Sequence, residues 1–352
     1  MNSTIFIHQH RLFENVSAIK NKLESDVKVM AVIKDNAYGH GFDGIASALY
    51  SKVDWFCVAR AEEGIHLRKI GIKNPILVFE IPNHNTRDIF PNHDLTATVA
   101  DLESLDILSS GTKYHINLDT GMHRLGILPC QVSKLLSMMS VRTDIKATGI
   151  YTHFFKSDDP GNPEVQAQLN MFKELRSKFD SQLMTHVANS GAIFHYSHLD
   201  VQFDAVRPGV SLFGYGAGEK NINSLKPIIE WNTFLMQVKP VKKGGSVSYG
   251  GQWIASCDGF IGVIPVGYSS GLRRDLSSQL EFEIAGKLYN QVGIISMDYS
   301  MVFLNQDKLG SGTQVNILNL DILTAKNWAE KAKTISYEIT TGINPMIERK
   351  FI

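Results

Sequence analysis

The chain has 352 residues, enough for about two domains, and its 43% apolar and 20% charged residues are typical of a globular protein. Its formal net charge is zero, which argues against nucleic acid or a membrane surface as a partner, because proteins that bind these usually carry basic patches. No apolar run approaches the length of a transmembrane helix, so we expect no membrane span.

Helical and strand patterns alternate from residue 11 to about residue 215. Leu12, Val16, Ile19 and Leu23 recur at helical spacing, and the apolar run Val27–Ile33 then predicts a strand. Counting that run, eight strands are predicted, the others at Trp55–Val58, Ile76–Phe79, Thr96–Val99, Tyr114–Leu118, Ala147–Thr152, Met184–Ala188 and Phe203–Val206. Helices are predicted between most of them, at Asp43–Ser51, Glu62–Ile70, Leu102–Leu108, Gln131–Met139 and Glu164–Phe179.

Eight β/α units within about 200 residues are the number found in a TIM barrel. A doubly wound parallel sheet is the alternative, and we favour the barrel because no GxGxxG motif follows the first strand. Asp43 is expected to be the N-cap of its helix. Functional residues of a barrel lie at the carboxyl ends of its strands. Five polar sites fall there, at Lys34, Asp119, His153, Asn189–Ser190 and Arg207.

The pattern changes beyond about residue 225, where short apolar runs alternate with glycine-rich turns. Strands are predicted there at Phe234–Val238, Phe260–Val263, Glu281–Ile284 and Val315–Leu318, with one helix at Ala325–Ala332. We therefore predict a (β/α)8 barrel over residues 1–225 and a mostly-β domain over residues 226–352.

The cysteines and the N-terminus indicate the compartment. Cys57, Cys130 and Cys257 are odd in number and far apart, so we expect no disulfide framework and a reducing cytoplasm. The start, MNSTIFIHQH, lacks the basic stretch and the apolar core of a signal peptide. No CxxC pair occurs, and His195 and His198 have no third ligand nearby, so no metal site is predicted.

Lys34 stands where the first predicted barrel strand opens into the segment AVIKDNAYGHG. A lysine held there is partly removed from water, and a neutral amine can attack a carbonyl to form a Schiff base. A surface lysine whose stem lies along apolar surface is the alternative. Tyr38 and His40 follow closely, and Gly39 and Gly41 allow close backbone approach.

Five segments of this sequence resemble alanine racemase. They are AVIKDNAYGHG at the lysine, LDTGMHRLGI (118–127), RPGVSLFGYG (207–216), IPVGYSSG (264–271) and ISMDYS (295–300). The resemblance covers nearly the whole chain in order. It implies a fold-type III enzyme that uses pyridoxal 5′-phosphate (PLP) and works as a head-to-tail homodimer.

The resemblance also implies the roles of the catalytic residues. Lys34 would hold PLP and act as one base. Tyr268 would be the opposite base and reach into the site of the partner subunit, where His153 would hydrogen-bond it. Racemisation needs a base on each face of the substrate's α-carbon, so this pairing is chemically sensible.

The residues that would hold PLP follow in the same way. Arg207 matches the arginine that faces the pyridine nitrogen and leaves it unprotonated, which should suppress transamination. A structural ion pair is the alternative for this arginine. The phosphate would be held by Tyr38, by Ser190 and by the backbone N–H groups of Gly209 and Val210.

Substrate contacts are implied for Arg124, near the substrate carboxylate, and for the backbone N–H of Met297, with Asp298 at the entrance from the partner. Many family members have a carbamylated lysine where this chain has Asn117. Asparagine cannot be carbamylated. We therefore predict that a chloride ion or a water bridges Asn117 and Arg124.

A second departure is Pro345, which stands where the family usually has a tyrosine that binds the phosphate and narrows the entrance. Proline has neither a ring of that kind nor a hydroxyl. A wider entrance is the expected result, and selectivity for small amino acids should relax, because it depends on steric exclusion.

Four functions are compatible with this scaffold. Racemisation of alanine, giving D-alanine for peptidoglycan precursors, is favoured, and a broad-spectrum or serine racemase is the alternative. A fold-type III decarboxylase is disfavoured because no cysteine stands in the Tyr268 segment. A non-catalytic PLP-binding protein is disfavoured because such proteins lack the second domain.

Overall fold

A computed structural model describes residues 3–219 and 222–352 and contains a closed parallel barrel and a mostly-β domain. The first strands in chain order are β1 (Thr4–Ile7), β2 (Lys28–Val32), β3 (Trp55–Val58), β4 (Ile76–Val78), β5 (Thr96–Val99), β6 (Lys113–Asn117), β7 (Lys146–Tyr151), β8 (Met184–Asn189) and β9 (Ala205–Arg207). Strands β2 to β9 close the barrel in that order, with parallel pairing. The predicted TIM barrel is confirmed.

Side-chain alternation along the strands explains the barrel core. In β2, Met30 and Val32 point into the barrel and pack with Cys57 and Leu77. Val29 and Ala31 alternate with them along the strand and belong to the larger apolar cluster, which packs against the outer helices. A strand buried on both faces is therefore apolar at every position, which is why the sequence shows continuous runs here.

The helices lie mostly where the sequence predicts them. They span Gln9–Lys20, Phe42–Leu49, Ala61–Lys69, Ile89–Asn92, Leu102–Ile107, Val132–Val141, Pro163–Arg176, Ser190–His195, Ala325–Ala332 and Ser336–Thr341. The N-cap assigned to Asp43 is wrong, because the helix begins at Phe42 and Gly41 is its cap. Asp43 instead accepts a hydrogen bond from His66 at 2.6 Å.

The second domain holds β10 (Ile229–Phe234), β11 (Gln237–Val241), β12 (Ser246–Val247), β13 (Trp253–Ile254), β14 (Gly259–Ile264), β15 (Glu281–Ile284), β16 (Lys287–Asn290), β17 (Ser300–Phe303), β18 (Gln314–Leu318) and β19 (Glu348–Phe351). Its largest sheet has the order β16-β15-β18-β10-β1-β19. The N-terminal strand β1, which the sequence reading missed, thus pairs with the second domain. The division at residues 225 and 226 stays a prediction.

The predicted strand Phe234–Val238 is wrong, because it spans the junction between β10 and β11, which belong to different sheets. The buried Leu235 lies at that junction, so the apolar run continues while the chain passes from one sheet to the next. Phe203 is also not part of a strand, since its φ of 45° is incompatible with extended backbone.

The turn that follows β2 is left-handed. Asp35, Asn36, Ala37 and Tyr38 all have φ between 52° and 55°. Left-handed backbone costs a residue other than glycine about 1–2 kcal/mol, so the turn stores strain beside Lys34. Local contacts offset part of it: Glu63 accepts the Asp35 N–H at 2.7 Å and the Asn36 side chain accepts the Phe42 N–H at 2.9 Å.

Candidate active site

A cavity of about 550 Å³ opens at the carboxyl end of the barrel strands. Its lining includes the barrel residues predicted for the site: Lys34, Tyr38, Asn117, Arg124, His153, Ser190, Arg207, Gly209 and Val210. Their positions follow from the topology, because the carboxyl ends of parallel strands meet at one end of a barrel.

Lys34 lies two residues beyond the end of β2 and lines the cavity. The side chain is 38% exposed, and its Nζ lies 3.8 Å from a carboxylate oxygen of Asp35. The amine is therefore accessible to a small carbonyl compound.

Arg207, the last residue of β9, is 3% exposed. Its guanidinium donates to the carbonyls of Thr152 at 2.7 Å, His186 at 2.6 Å and Val187 at 3.2 Å, and to His186 Nδ1 at 2.6 Å. Within residues 3–219 and 222–352, no hydrogen bond links it to a carboxylate, so the ion-pair alternative gains no support. Burial lowers its pKa to about 10, which still leaves it charged at neutral pH.

Two buried histidines continue from this arginine into the barrel. Because Arg207 can only donate, His186 Nδ1 accepts, and His186 Nε2 then donates to His115 Nδ1 at 2.9 Å. Burial, reinforced by the positive charge of Arg207, lowers the pKa of His115 to about 3 and that of His186 well below its usual value. Both imidazoles are therefore neutral, and Arg207 remains the cation.

Hydroxyl and amide groups form a small cradle at the other side of the cavity. The Gly209 N–H donates to Ser190 Oγ at 2.9 Å. A Cβ on Gly209 would lie 2.5 Å from the Tyr38 hydroxyl, so only glycine lets this backbone approach so closely. Burial raises the pKa of Tyr38, which keeps its hydroxyl protonated as a donor.

These groups fit PLP. The volume is within the range of cofactor sites. The hydroxyls of Tyr38 and Ser190 suit a phosphate, and the Val210 N–H has no hydrogen-bond partner among the residues the structure describes. Lys34 supplies the amine that the aldehyde requires, and the buried Arg207 can donate to a ring nitrogen.

His153, two residues past β7, is half-buried at the cavity wall. Desolvation lowers its pKa to about 3, and the charges of Arg207, Arg124 and Lys34 act in the same direction. The imidazole is therefore neutral across the physiological range and can accept a hydrogen bond from a phenol.

Asn117 and Arg124 both line the cavity, and among the residues the structure describes no hydrogen bond joins their side chains. The Asn117 amide donates to the carbonyl of Leu125 at 3.1 Å, and Arg124 is exposed. The Asp119 carboxylate accepts the N–H groups of Gly121 and His123 and so shapes the loop that carries Arg124. The anion expected between Asn117 and Arg124 stays a prediction.

Tyr268 and Met297 are not in this cavity. They are 42% and 54% exposed, on neighbouring loops of the second domain. The Tyr268 N–H donates to Ser296 at 3.0 Å, and a Cβ on Gly267 would lie 2.2 Å from the same Ser296 carbonyl oxygen. The two loops are therefore held together as one exposed surface, with Asp298 between them accepting from the Ser269 hydroxyl.

Tyr337 is a second-domain residue of the cavity that sequence reasoning missed. It belongs to the helix Ser336–Thr341 and lines the cavity, and its ring lies edge-on to that of Tyr38, with centroids 6.2 Å apart. Pro345 is exposed and is not among the lining residues. No local pattern marks Tyr337, because it reaches the barrel mouth from the second domain.

A closed parallel barrel with a lysine at its mouth, followed by a mostly-β domain, is the architecture of the fold-type III PLP-dependent enzymes. Residues 7–217 match the family profile for the N-terminal domain of alanine racemase, and residues 228–351 match the profile for its C-terminal domain. The chain belongs to the alanine racemase family and is a PLP-dependent isomerase.

Individual relatives agree. An alanine racemase of Streptococcus mutans is 31% identical over 362 aligned residues, which cover 99% of this chain and 96% of that protein. An alanine racemase structure from Clostridium difficile superposes with a TM-score of 0.94 at 29% identity, covering 100% of this chain and 96% of the other. A histidine racemase from Leuconostoc mesenteroides shares the fold, with a TM-score of 0.92 at 24% identity and coverage of 100% and 98%.

In the part of the chain that the structure describes, no helix has both the length and the apolar character needed to cross a membrane. The same residues contain no cluster of three potential metal-ligating side chains.

Proposed function

We propose that this protein racemises L- and D-alanine, providing D-alanine for peptidoglycan precursors. The observation that carries the proposal is the composition of one cavity, which combines Lys34, the buried cation Arg207 and the cradle at Ser190 and Gly209. The full-length similarity to alanine racemases supports the choice of substrate.

PLP, held by Lys34 until the substrate amine replaces it at the aldehyde carbon, would draw electrons from the substrate's α-carbon and so acidify the α-proton, while the Lys34 amine is set free. The Lys34 amine removes or returns that proton on one face, and Tyr268 of the partner subunit does so on the other. Arg207 would place a fixed positive charge at the ring nitrogen, because its guanidinium is held by three carbonyls and by His186 Nδ1. Arg124 and the Met297 backbone N–H of the partner subunit orient the substrate carboxylate.

His153 supports the tyrosine. A free phenol has a pKa near 10, so it needs help to act as a base. The neutral His153 imidazole offers a lone pair to the hydroxyl of Tyr268 of the partner subunit. Because burial, reinforced by the charges of Arg207 and Arg124, lowers the pKa of this imidazole, it stays an acceptor at neutral pH.

We infer a homodimer with shared sites. Tyr268 and Met297 are exposed on one surface, outside the cavity that holds Lys34. A two-base reaction therefore needs a second copy to supply the tyrosine. In this arrangement residues 1–225 bind PLP, and residues 226–352 supply Tyr268 to the partner. A cytoplasmic location is part of the same proposal, and three free cysteines are consistent with it.

Racemisation of a broader range of amino acids is the second candidate. Pro345 is the sequence feature that motivates this candidate, because proline has no aromatic ring to narrow an entrance; in the structure the residue is exposed and does not line the cavity. A panel of single-enantiomer amino acids distinguishes the two candidates. Turnover of alanine alone supports the first, and comparable turnover of serine supports the second.

The central test uses purified protein, PLP and L-alanine, with D-alanine measured by chiral chromatography. Lys34→Ala should abolish both turnover and the visible absorbance of bound PLP. Tyr268→Phe should lower turnover by at least about 100-fold while that absorbance persists, because one base contributes about 10²–10⁴-fold. Normal racemisation by Tyr268→Phe would disprove the two-base assignment.

The proposed anion site has its own test. If chloride bridges Asn117 and Arg124, activity in sodium chloride should exceed activity in sodium gluconate at equal ionic strength, severalfold or more. Asn117→Ala should remove this difference, because one of the donors is lost. Equal activity of the unaltered protein in both salts would rule out a chloride bridge.

A further inference from the structure

The left-handed turn that carries the lysine and the phosphate-binding tyrosine is held by one arginine of the second domain. Arg349, in β19, directs its guanidinium to backbone carbonyls. Its Nη2 and Nε donate to Gly39, at 3.0 and 3.3 Å. The remaining bonds go to Asn344 at 2.8 Å, Ile347 at 2.6 Å and Ile343 at 3.4 Å.

Gly39 is the residue at which the turn ends. It has φ of 84°, and its N–H donates to Asp35 at 3.2 Å, which closes the turn. A Cβ on Gly39 would lie 1.9 Å from the Thr340 carbonyl oxygen. The second domain therefore contacts this end of the turn from two directions, through Thr340 and through Arg349.

The backbone strain in Asp35–Tyr38 makes the turn sensitive to the loss of this contact. Four consecutive left-handed residues other than glycine persist only where surrounding structure over-determines them. On the barrel side, Glu63 accepts a hydrogen bond from the turn and Asn36 accepts one from Phe42. On the other side, the Gly39 carbonyl accepts hydrogen bonds from Arg349 of the second domain. Releasing that carbonyl would let the turn relax and would displace Lys34 and Tyr38.

We propose that Arg349 is a positioning residue: by binding the Gly39 carbonyl from the second domain, it sets where Lys34 and Tyr38 stand in the cavity. This inference rests on the proposed function, in which those two residues hold PLP at its aldehyde and its phosphate. Arg349 itself does not line the cavity, so it acts through the turn.

Arg176 provides a matched control. It is also a half-buried arginine, and it donates to the carbonyls of Phe179, Ser181 and Leu183 at 3.1–3.3 Å. Those carbonyls follow the end of its own helix and do not belong to the lysine turn. Arg176→Met therefore removes a comparable set of bonds without touching Gly39.

The first measurement is hydrogen exchange in the cofactor-free protein. The amides of Ala37, Gly39, His40 and Gly41 are bonded within the turn. Arg349→Met should speed their exchange by at least about tenfold, since a bond from a charged donor is lost. Arg349→Lys should give an intermediate rate, because an ammonium can reach fewer of the carbonyls. Arg176→Met should leave these amides unchanged.

The second measurement is the dissociation constant of PLP, from its visible absorbance. We expect about tenfold weaker binding for Arg349→Met, partial recovery for Arg349→Lys and no change for Arg176→Met. The proposal is overturned if Arg349→Met lowers the melting temperature yet leaves both the exchange and the PLP affinity as they were. It is equally overturned if Arg176→Met alters both as strongly.

The binding of PLP and the role of Arg349 in the turn are tested independently. If the unaltered protein does not bind PLP, the proposed function is wrong, and the exchange comparison in cofactor-free protein still decides whether Arg349 holds the turn. If Arg349→Met does not fold, the exchange rates of Arg349→Lys decide: rates equal to those of the unaltered protein at all four amides would reject the role.

Discussion

Tyr337 is the second-domain residue whose ring lines the cavity, whereas Pro345, the expected determinant of the entrance, is exposed outside it. The Tyr337 ring packs against that of Tyr38, so it limits the space beside the phosphate cradle. Substrate size can therefore be restricted at this position. The sequence hypothesis of relaxed selectivity rested on Pro345 alone.

Tyr337→Ala should relax the selectivity for small substrates. Removing the ring enlarges the cavity. Two substrates that differ by one group, and therefore in how well they fit a pocket, differ by about 10-fold or more in kcat/KM. We expect the serine-to-alanine ratio of kcat/KM to rise by about that factor. Tyr337→Phe keeps the ring and should preserve the ratio. If Pro345→Tyr changes the ratio while Tyr337→Ala does not, the entrance controls selectivity instead.

The barrel part of the site was predictable from sequence, and the reason is geometric. Lys34, His153 and Arg207 follow apolar strands, and parallel strands of a barrel bring their carboxyl ends together. Tyr337 and Arg349 were not predictable in this way, because they reach the site from a separate domain and no periodicity marks them. The left-handed turn was also not predictable, since Ala37 and Tyr38 rarely adopt such backbone.

At the scale of elements, β19 and the helix Ser336–Thr341 explain the glycines of the lysine segment. Sequence reasoning assigned Gly39 and Gly41 to close backbone approach, and the approach is made by the second domain. A Cβ on Gly41 would lie 3.3 Å from the Arg349 side chain. A Cβ on Gly44 would lie 2.0 Å from the Phe351 ring. The glycines let the second domain pack closely on the lysine loop.

Gly44→Ala tests this packing without altering the turn. The added methyl collides with Phe351, and overpacking of this kind costs about 1–3 kcal/mol of unfolding free energy, measured by urea denaturation. In a Phe351→Ala background the same change should cost little, because the ring is gone and alanine favours a helix. Gly310→Ala, where nothing lies within 4 Å, is the control. Equal costs in both backgrounds would contradict the contact.

At the scale of the whole molecule, three buried neutral histidines couple stability to pH. His40, His115 and His186 are each 0% exposed. Burial lowers the pKa of His40 to about 4 and that of His115 to about 3, and it lowers that of His186 as well. A histidine in the unfolded chain has a pKa near 6.5. At pH values between the lowered native pKa values and 6.5, the unfolded chain therefore binds more protons than the native protein. These histidines therefore do not reduce the free energy of unfolding above that pH range, and they reduce it progressively as the pH drops through the range.

The free energy of unfolding should fall by about 4 kcal/mol or more between pH 7.5 and pH 5.5. Each of the three fully buried histidines contributes about 1.4 kcal/mol, and His153, whose pKa is also lowered to about 3, adds to the fall. Urea denaturation at the two pH values measures this difference. His40→Gln should reduce the difference by about 1.4 kcal/mol. The exposed His84 offers a control, since His84→Gln should leave it unchanged. A flat profile in the unaltered protein would show that these imidazoles are not held neutral.

The shared site can be tested by combining two inactive proteins. Lys34→Ala lacks the amine in its own cavity, and Tyr268→Phe lacks the hydroxyl it would lend to its partner. In a mixed dimer, the Tyr268→Phe subunit retains Lys34 and receives Tyr268 of the partner subunit, so one of its two sites is complete. Random exchange of subunits gives about half mixed dimers, so activity should recover to about a quarter of the unaltered level. Each variant alone, carried through the same unfolding and refolding, is the control. If Tyr268 instead served the cavity of its own chain, every site in the mixture would lack one base, and no activity would return.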